Sequence, residues 1–198
     1  MSLLRAFGWF LLKAPLIVLG LFIVPVMIPF RKTERFSLIE SGWFFTNFGG
    51  WWGNPFDGLV GDKRMDFARE CEAKGIKCPS FLSMYWWAAW RNTVNFWSRL
   101  VAGVDVSRCV ITKLWGDDVV VEEPGQGGAQ FLRAVRDDGR IYDRLFIVWA
   151  YPFKQDKAFM IDLGWKIKLS HNGTLPDARP QDRFKGLVFT GSLWKGLE

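Results

Sequence analysis

Histidine is nearly absent from this sequence: His171 is the only one in 198 residues, and cysteine occurs three times, as Cys71, Cys78 and Cys109, with no C-x-x-C pair. A structural zinc site needs four ligands at defined spacing, so no metal is expected. A lone histidine followed by Asn172 and Gly173, in what reads as a turn, does not build a Ser-His-Asp arrangement. The glycines carry neither G-x-x-x-x-G-K-[ST] nor a dinucleotide fingerprint, so no cofactor is expected either. Acidic pairs exist (Asp117 with Asp118, Glu122 with Glu123, Asp137 with Asp138), but each lies in or beside a turn, where carboxylates are solvated rather than split in pKa by a cleft. Basic runs are missing too. Lys and Arg number 26 against 20 acids, a formal charge of +6, but they are scattered, which fits anionic headgroups better than nucleic acid. A Cys71–Cys78 disulfide is an option outside the cytosol, and three reduced thiols is the simpler reading.

What the chain has in excess is aromatic and apolar surface. It holds 12 Trp and 18 Phe, and Trp gathers where an apolar phase meets a wet one, at membrane or protein interfaces. Residues 14–30, APLIVLGLFIVPVMIPF, carry no charge and follow the mostly apolar AFGWFLLK. Seventeen helical residues rise roughly 25 Å, the short end of a membrane span, and Lys13 can snorkel so that the span extends back to Phe7. Pro25 and Pro29 are expected to kink or end the helix. A cleaved signal peptide would need a small-residue site where Pro29-Phe30-Arg31-Lys32 stands. Arg5 and Lys13 on one side nearly balance Arg31, Lys32 and Arg35 on the other. The thiols favour a cytoplasmic position for the rest of the chain, at an inner membrane.

Three regions follow: an anchor with a basic flank (1–35), an aromatic interfacial stretch (36–103) and a sheet domain (104–198). In the second, GWFFTNFGGWWG (42–53) reads as an interfacial loop, with Trp43, Trp51 and Trp52, joined by Trp86, Trp87 and Trp90, at the membrane surface. Asn54 to Asp62 is dense in turn residues. Residues 64–74 read as a short helix ended by Gly75. Pro79 and Ser80 then start a longer, aromatic amphipathic helix to Gly103. Its polar side, with the preceding turn, gives a candidate cluster of Asn54, Asp57, Asp62, Arg91, Asn92, Asn95 and Arg99. A set of helix-to-turn hydrogen bonds is the structural reading of that cluster. A phosphate or cation site is the functional one.

From Cys109 the period changes to two. Strands are expected over 108–116, 117–123, 129–136, 140–153, 157–170 and 184–194, with turns at Asp137-Asp138-Gly139 and His171-Asn172-Gly173. The fold class expected is therefore α+β: an N-terminal transmembrane helix, an aromatic amphipathic helix and a C-terminal antiparallel meander.

Gly53-Asn54 through Asp57-Gly58 and Gly61-Asp62, then Trp90-Arg91-Asn92 with Asn95, Gly164-Trp165-Lys166 and Leu187-Val188-Phe189-Thr190 follow one another in an order that resembles a family of tailed-phage membrane-associated proteins of unknown function. Thr93 stands where a proline commonly follows the Arg-Asn pair in that pattern. The resemblance implies a phage origin and transfers no catalytic residues. The expectation is a non-enzymatic membrane or envelope protein that binds lipid and a protein partner or itself. The alternatives are a virion structural component, and a membrane-bound hydrolase or transferase acting on a phosphorylated or lipid-linked substrate.

Overall fold

A computed structural model describes residues 2–30, 52, 71–77, 80–91 and 93–197, with the backbone alone at 90 and 91. The protein is α+β, with an apolar N-terminal helix and a C-terminal antiparallel sheet. Contacts divide it into two units, Met1–Phe10 with Ala102–Glu198, and Leu11–Val101.

The N-terminal helix α1 runs Ser2–Met27 and ends in a 3-10 turn, Ile28–Phe30. The helix runs through Pro15 and Pro25 and stops at Met27, two residues before Pro29, one of the two prolines expected to kink or end it. Pro25 has no N–H for the carbonyl of Leu21 four residues back. The hydroxyl of Tyr85 donates to that carbonyl at 3.3 Å, supplying the missing partner. The helix is two-sided. Ala6, Gly20, Val24, Met27 and Ile28 are buried, while Leu4, Phe7, Leu11, Val18, Phe22 and Val26, spaced three, four or seven apart, are exposed.

In the unit Leu11–Val101, Ser80 caps the short helix α2 (Phe81–Tyr85) through a reciprocal box with Ser83. The expected continuous amphipathic helix is not formed. The chain widens into a π-helical stretch at Trp86–Arg91, turns at Thr93–Val94 and resumes at Trp97–Val101. Val94, at φ 53°, is the reason for the break: a left-handed residue cannot continue a right-handed helix. Upstream, Gly75 (φ 67°) ends the short helical turn at residues 71–73, as expected.

In the other unit the strands are β1 (Val104–Asp105), β2 (Cys109–Gly116), β3 (Gly128–Arg136), β4 (Ile141–Tyr151), β5 (Lys154–Trp165), β6 (Phe184–Lys185) and β7 (Leu187–Gly196). Five form one antiparallel sheet in the order β2-β3-β4-β5-β7, and β1 pairs with β6. Asp137-Asp138-Gly139 joins β3 to β4 as expected, with the Gly139 amide bonded to the Arg136 carbonyl. The run Asp117–Glu123 is not a strand. Asp117 accepts from the Ala129 amide at 2.9 Å, and Val120 packs on the core cluster of Phe146, Val148, Ala158 and Leu197. Strand β5 stops at Trp165, short of the expected Ser170.

Candidate functional site

The expected polar cluster is only partly described. Asn54, Asp57, Asp62 and Asn92 lie outside the described residues, as does the side chain of Arg91. The remaining two meet: Arg99 Nε donates to Asn95 Oδ1 at 3.2 Å, one helical turn apart. Arg99 is half-buried, and desolvation draws its pKa below the ordinary guanidinium value. Ser98, next in sequence, is buried, and its hydroxyl has no hydrogen-bond partner among the described residues. A guanidinium with a carboxamide recognises phosphate or carboxylate oxygens; it supplies neither a nucleophile nor a proton donor at neutral pH.

Of the tryptophans expected at an interface, Trp43, Trp51 and the side chain of Trp90 lie outside the described residues. Trp52 and Trp87 are 2% and 5% exposed. Trp52 stands against α1 because Gly20 has no side chain, and its indole donates to the Leu16 carbonyl at 2.6 Å. Trp86 is half-buried, with the Lys74 ammonium 3.9 Å above its ring. Beside it an apolar groove of about 280 Å³ is lined by Leu21, Ile76, Leu82, Tyr85, Trp86 and Ala89.

In the sheet unit the buried charged residues Asp143, Arg144 and Asp162 are all ion-paired. Arg144 makes two 2.8 Å bonds to Asp162, donates to the Ile167 carbonyl and lies over the Phe146 ring. Arg133 pairs likewise with Asp143. His171 is half-buried, and its Nδ1 accepts the Lys168 amide at 3.0 Å. Burial, with Lys185 and Lys168 nearby, lowers its pKa to about 4, so it is neutral at pH 7. The free thiol of Cys109, bonded to the Asp105 carbonyl, is pushed up to about 11 by burial. Among the described residues no group of three or more His, Cys, Asp or Glu is placed to hold a metal ion.

These ion pairs escaped sequence reasoning because alternation marks Arg144 and Asp162 as core-facing only once the register is known. What the described chain assembles is thus a strongly apolar helix and a sheet whose buried charges are paired. Residues 1–197 match the model of a family described as "Family of unknown function (DUF7338)". The chain belongs to that family. No curated protein and no solved structure matches it. Family membership therefore spans helix and sheet together and brings no chemistry with it.

Proposed function

We propose that this member of the family is a non-enzymatic, membrane-associated protein of phage origin, anchored in the host inner membrane through α1 and engaging a protein partner through its sheet. The observation that carries the reading is the exposed stripe of α1. From Ser2 to Phe30 the chain is long and apolar enough to cross a membrane, and only 22% of its most apolar stretch is buried. A soluble core helix hides its apolar side; here Val18 and Phe22 are 56% and 70% exposed. The helix rises about 39 Å over its 26 residues, against a hydrocarbon core of roughly 30 Å. The phage origin and the inner-membrane location rest on the resemblance and on the cysteine usage.

The test is alkaline extraction of membranes from cells expressing the full chain or its Val18→Arg/Phe22→Arg variant. Each arginine at mid-helix costs about 2.5–3.5 kcal/mol of insertion free energy, and both positions avoid the packed side of the helix. The parent chain should stay in the extracted pellet and the variant should leave it. Release of the parent would sink the anchor.

A second reading, a virion structural component, draws on the other side of the same helix, where Val24, Met27 and Ile28 are buried. Recovery in purified, lipid-free particles would favour it. The reading of Asn54, Asp57 and Asp62 as a cation site, with Arg91 and Arg99 neutralising phosphate, is tested separately by Asp57→Ala and Asp62→Ala; variants that keep both fold and phenotype would sink it.

A further inference from the structure

Among the exposed apolar residues of the sheet unit, one patch is dense in aromatic rings. Strand β7 carries a bulge in which Leu193 and Trp194 together stand opposite Phe159 of β5, because Ala158 pairs with Lys195 and Met160 with Ser192. On the other side of Phe159 is Trp149 of β4. The β4–β5 turn adds Tyr151 and Phe153, whose rings stack at 5.1 Å, and Tyr151 meets Trp194 at 5.5 Å. The Tyr151 hydroxyl donates to the Leu193 carbonyl at 2.6 Å, which ties the turn to the bulge. Lys154 places its ammonium 5.5 Å over the Trp194 ring. These are large side chains left in the open: Trp149 is 69%, Phe153 76%, Leu193 74% and Trp194 53% exposed.

We infer that this tip is a foot that rests on the bilayer surface, its tryptophans at headgroup depth and Lys154 against lipid phosphate; the inference rests on the membrane reading of α1. Three observations choose lipid over a protein. The exposed area of the four residues is roughly 500–600 Å², short of the ~800 Å² per partner of a stable protein interface. The composition is that of an interfacial belt, indole and phenyl rings with a lysine able to snorkel. And one strand links the patch to the helix: Phe10 and Phe7 of α1 lie 4.8 and 6.0 Å from the Phe189 ring of β7. Trp194 is about 16 Å further along that strand.

The experiment uses the full chain labelled with fluorotryptophan and incorporated into nanodiscs of phosphatidylcholine and phosphatidylglycerol. Fluorine resonances of the two indoles are assigned by their loss in Trp149→Phe and Trp194→Phe, conservative changes at exposed positions. The inference expects both resonances to broaden when the discs contain a lipid with a nitroxide on its headgroup, and to resist a water-soluble paramagnetic complex. If the chain enters the discs but both resonances broaden only with the soluble complex, the tip stands in water; the foot is wrong while the anchor stands. If neither agent reaches them, protein covers the tip, and again the foot is wrong. If the chain does not enter the discs at all, the anchor and the foot fall together.

Discussion

Arg144 and Asp162 show how little a charge need imply about chemistry. Both are almost wholly buried, their two parallel bonds use the fork of the guanidinium, and its remaining reach is taken by the Ile167 carbonyl. Removing one partner leaves the other charge buried and uncompensated, so Asp162→Ala should cost about 3–5 kcal/mol in a denaturant titration. Adding Arg144→Met should recover most of that loss; failure to recover would mean that the pair does more than neutralise itself. His171 behaves as a second structural polar group. Its Nδ1 must be unprotonated to accept the Lys168 amide. Its pKa, about 4 when folded, lies below the ordinary value near 6.5. Between those values the unfolded chain binds more protons than the folded one, so stability falls as pH drops from about 6.5 to 4 and levels off below. Discounted for the half-exposed ring, the loss should be on the order of 1–2 kcal/mol, and His171→Gln should flatten it. An unchanged slope in that variant would place the acid sensitivity elsewhere.

Elements were legible where a local signal sufficed and obscure where a distant residue decided. Alternation in 129–136 and 140–153, with Asp-Asp-Gly between them, foretells the β3–β4 hairpin, since both pattern and turn are local. The uninterrupted α1 was not legible, because the group that relieves Pro25 is Tyr85, 64 residues away. Nor was the fate of Asp117–Glu123: its β-branched run suits a strand, but Val120 finds the core from an irregular path. The helix break at Val94 defies propensity outright, since β-branched residues avoid positive φ. At the candidate site, helical spacing puts Asn95 and Arg99 on one polar side and suggests that Asn95 clasps the preceding turn; the bond from Arg99 to Asn95 emerges only in the structure. From sequence Trp52 reads as interfacial, because nothing in its neighbours reveals the slot that Gly20 leaves. A glycine can also be decisive within the sheet. Gly164 sits at φ 107°, and a Cβ there would come within 2.0 Å of the Asp143 carbonyl oxygen. Gly164→Ala should therefore disrupt the β4–β5 pairing at a cost of several kcal/mol. Loss of protection from hydrogen exchange along residues 143–148 would show it; unchanged protection would refute it.

At the scale of the whole chain, the sheet unit is completed by residues from the opposite end of the sequence. Arg5 lies 4.8 Å from the Tyr142 ring and 5.2 Å from that of Trp165, and its guanidinium donates to the Ile141 carbonyl. Phe7 and Phe10 close on Phe189. The first turns of the apolar N-terminus are thus part of the fold of the C-terminal half. Two aromatic contacts at about 0.5–1.5 kcal/mol each and a cation–π contact of about 0.5–1 kcal/mol add up to a few kcal/mol. A fragment of residues 102–198 should then melt roughly 10–20 °C below the same sheet in the full chain. In the full chain, Arg5→Ala with Phe10→Ala should reproduce much of that loss while leaving the exposed stripe from Leu11 to Phe30 untouched. Membrane extraction separates the two roles: the double variant should remain in the alkaline pellet although its sheet is less stable. A fragment as stable as the full chain would mean that the first ten residues only touch the sheet, and that the helix and the sheet fold independently.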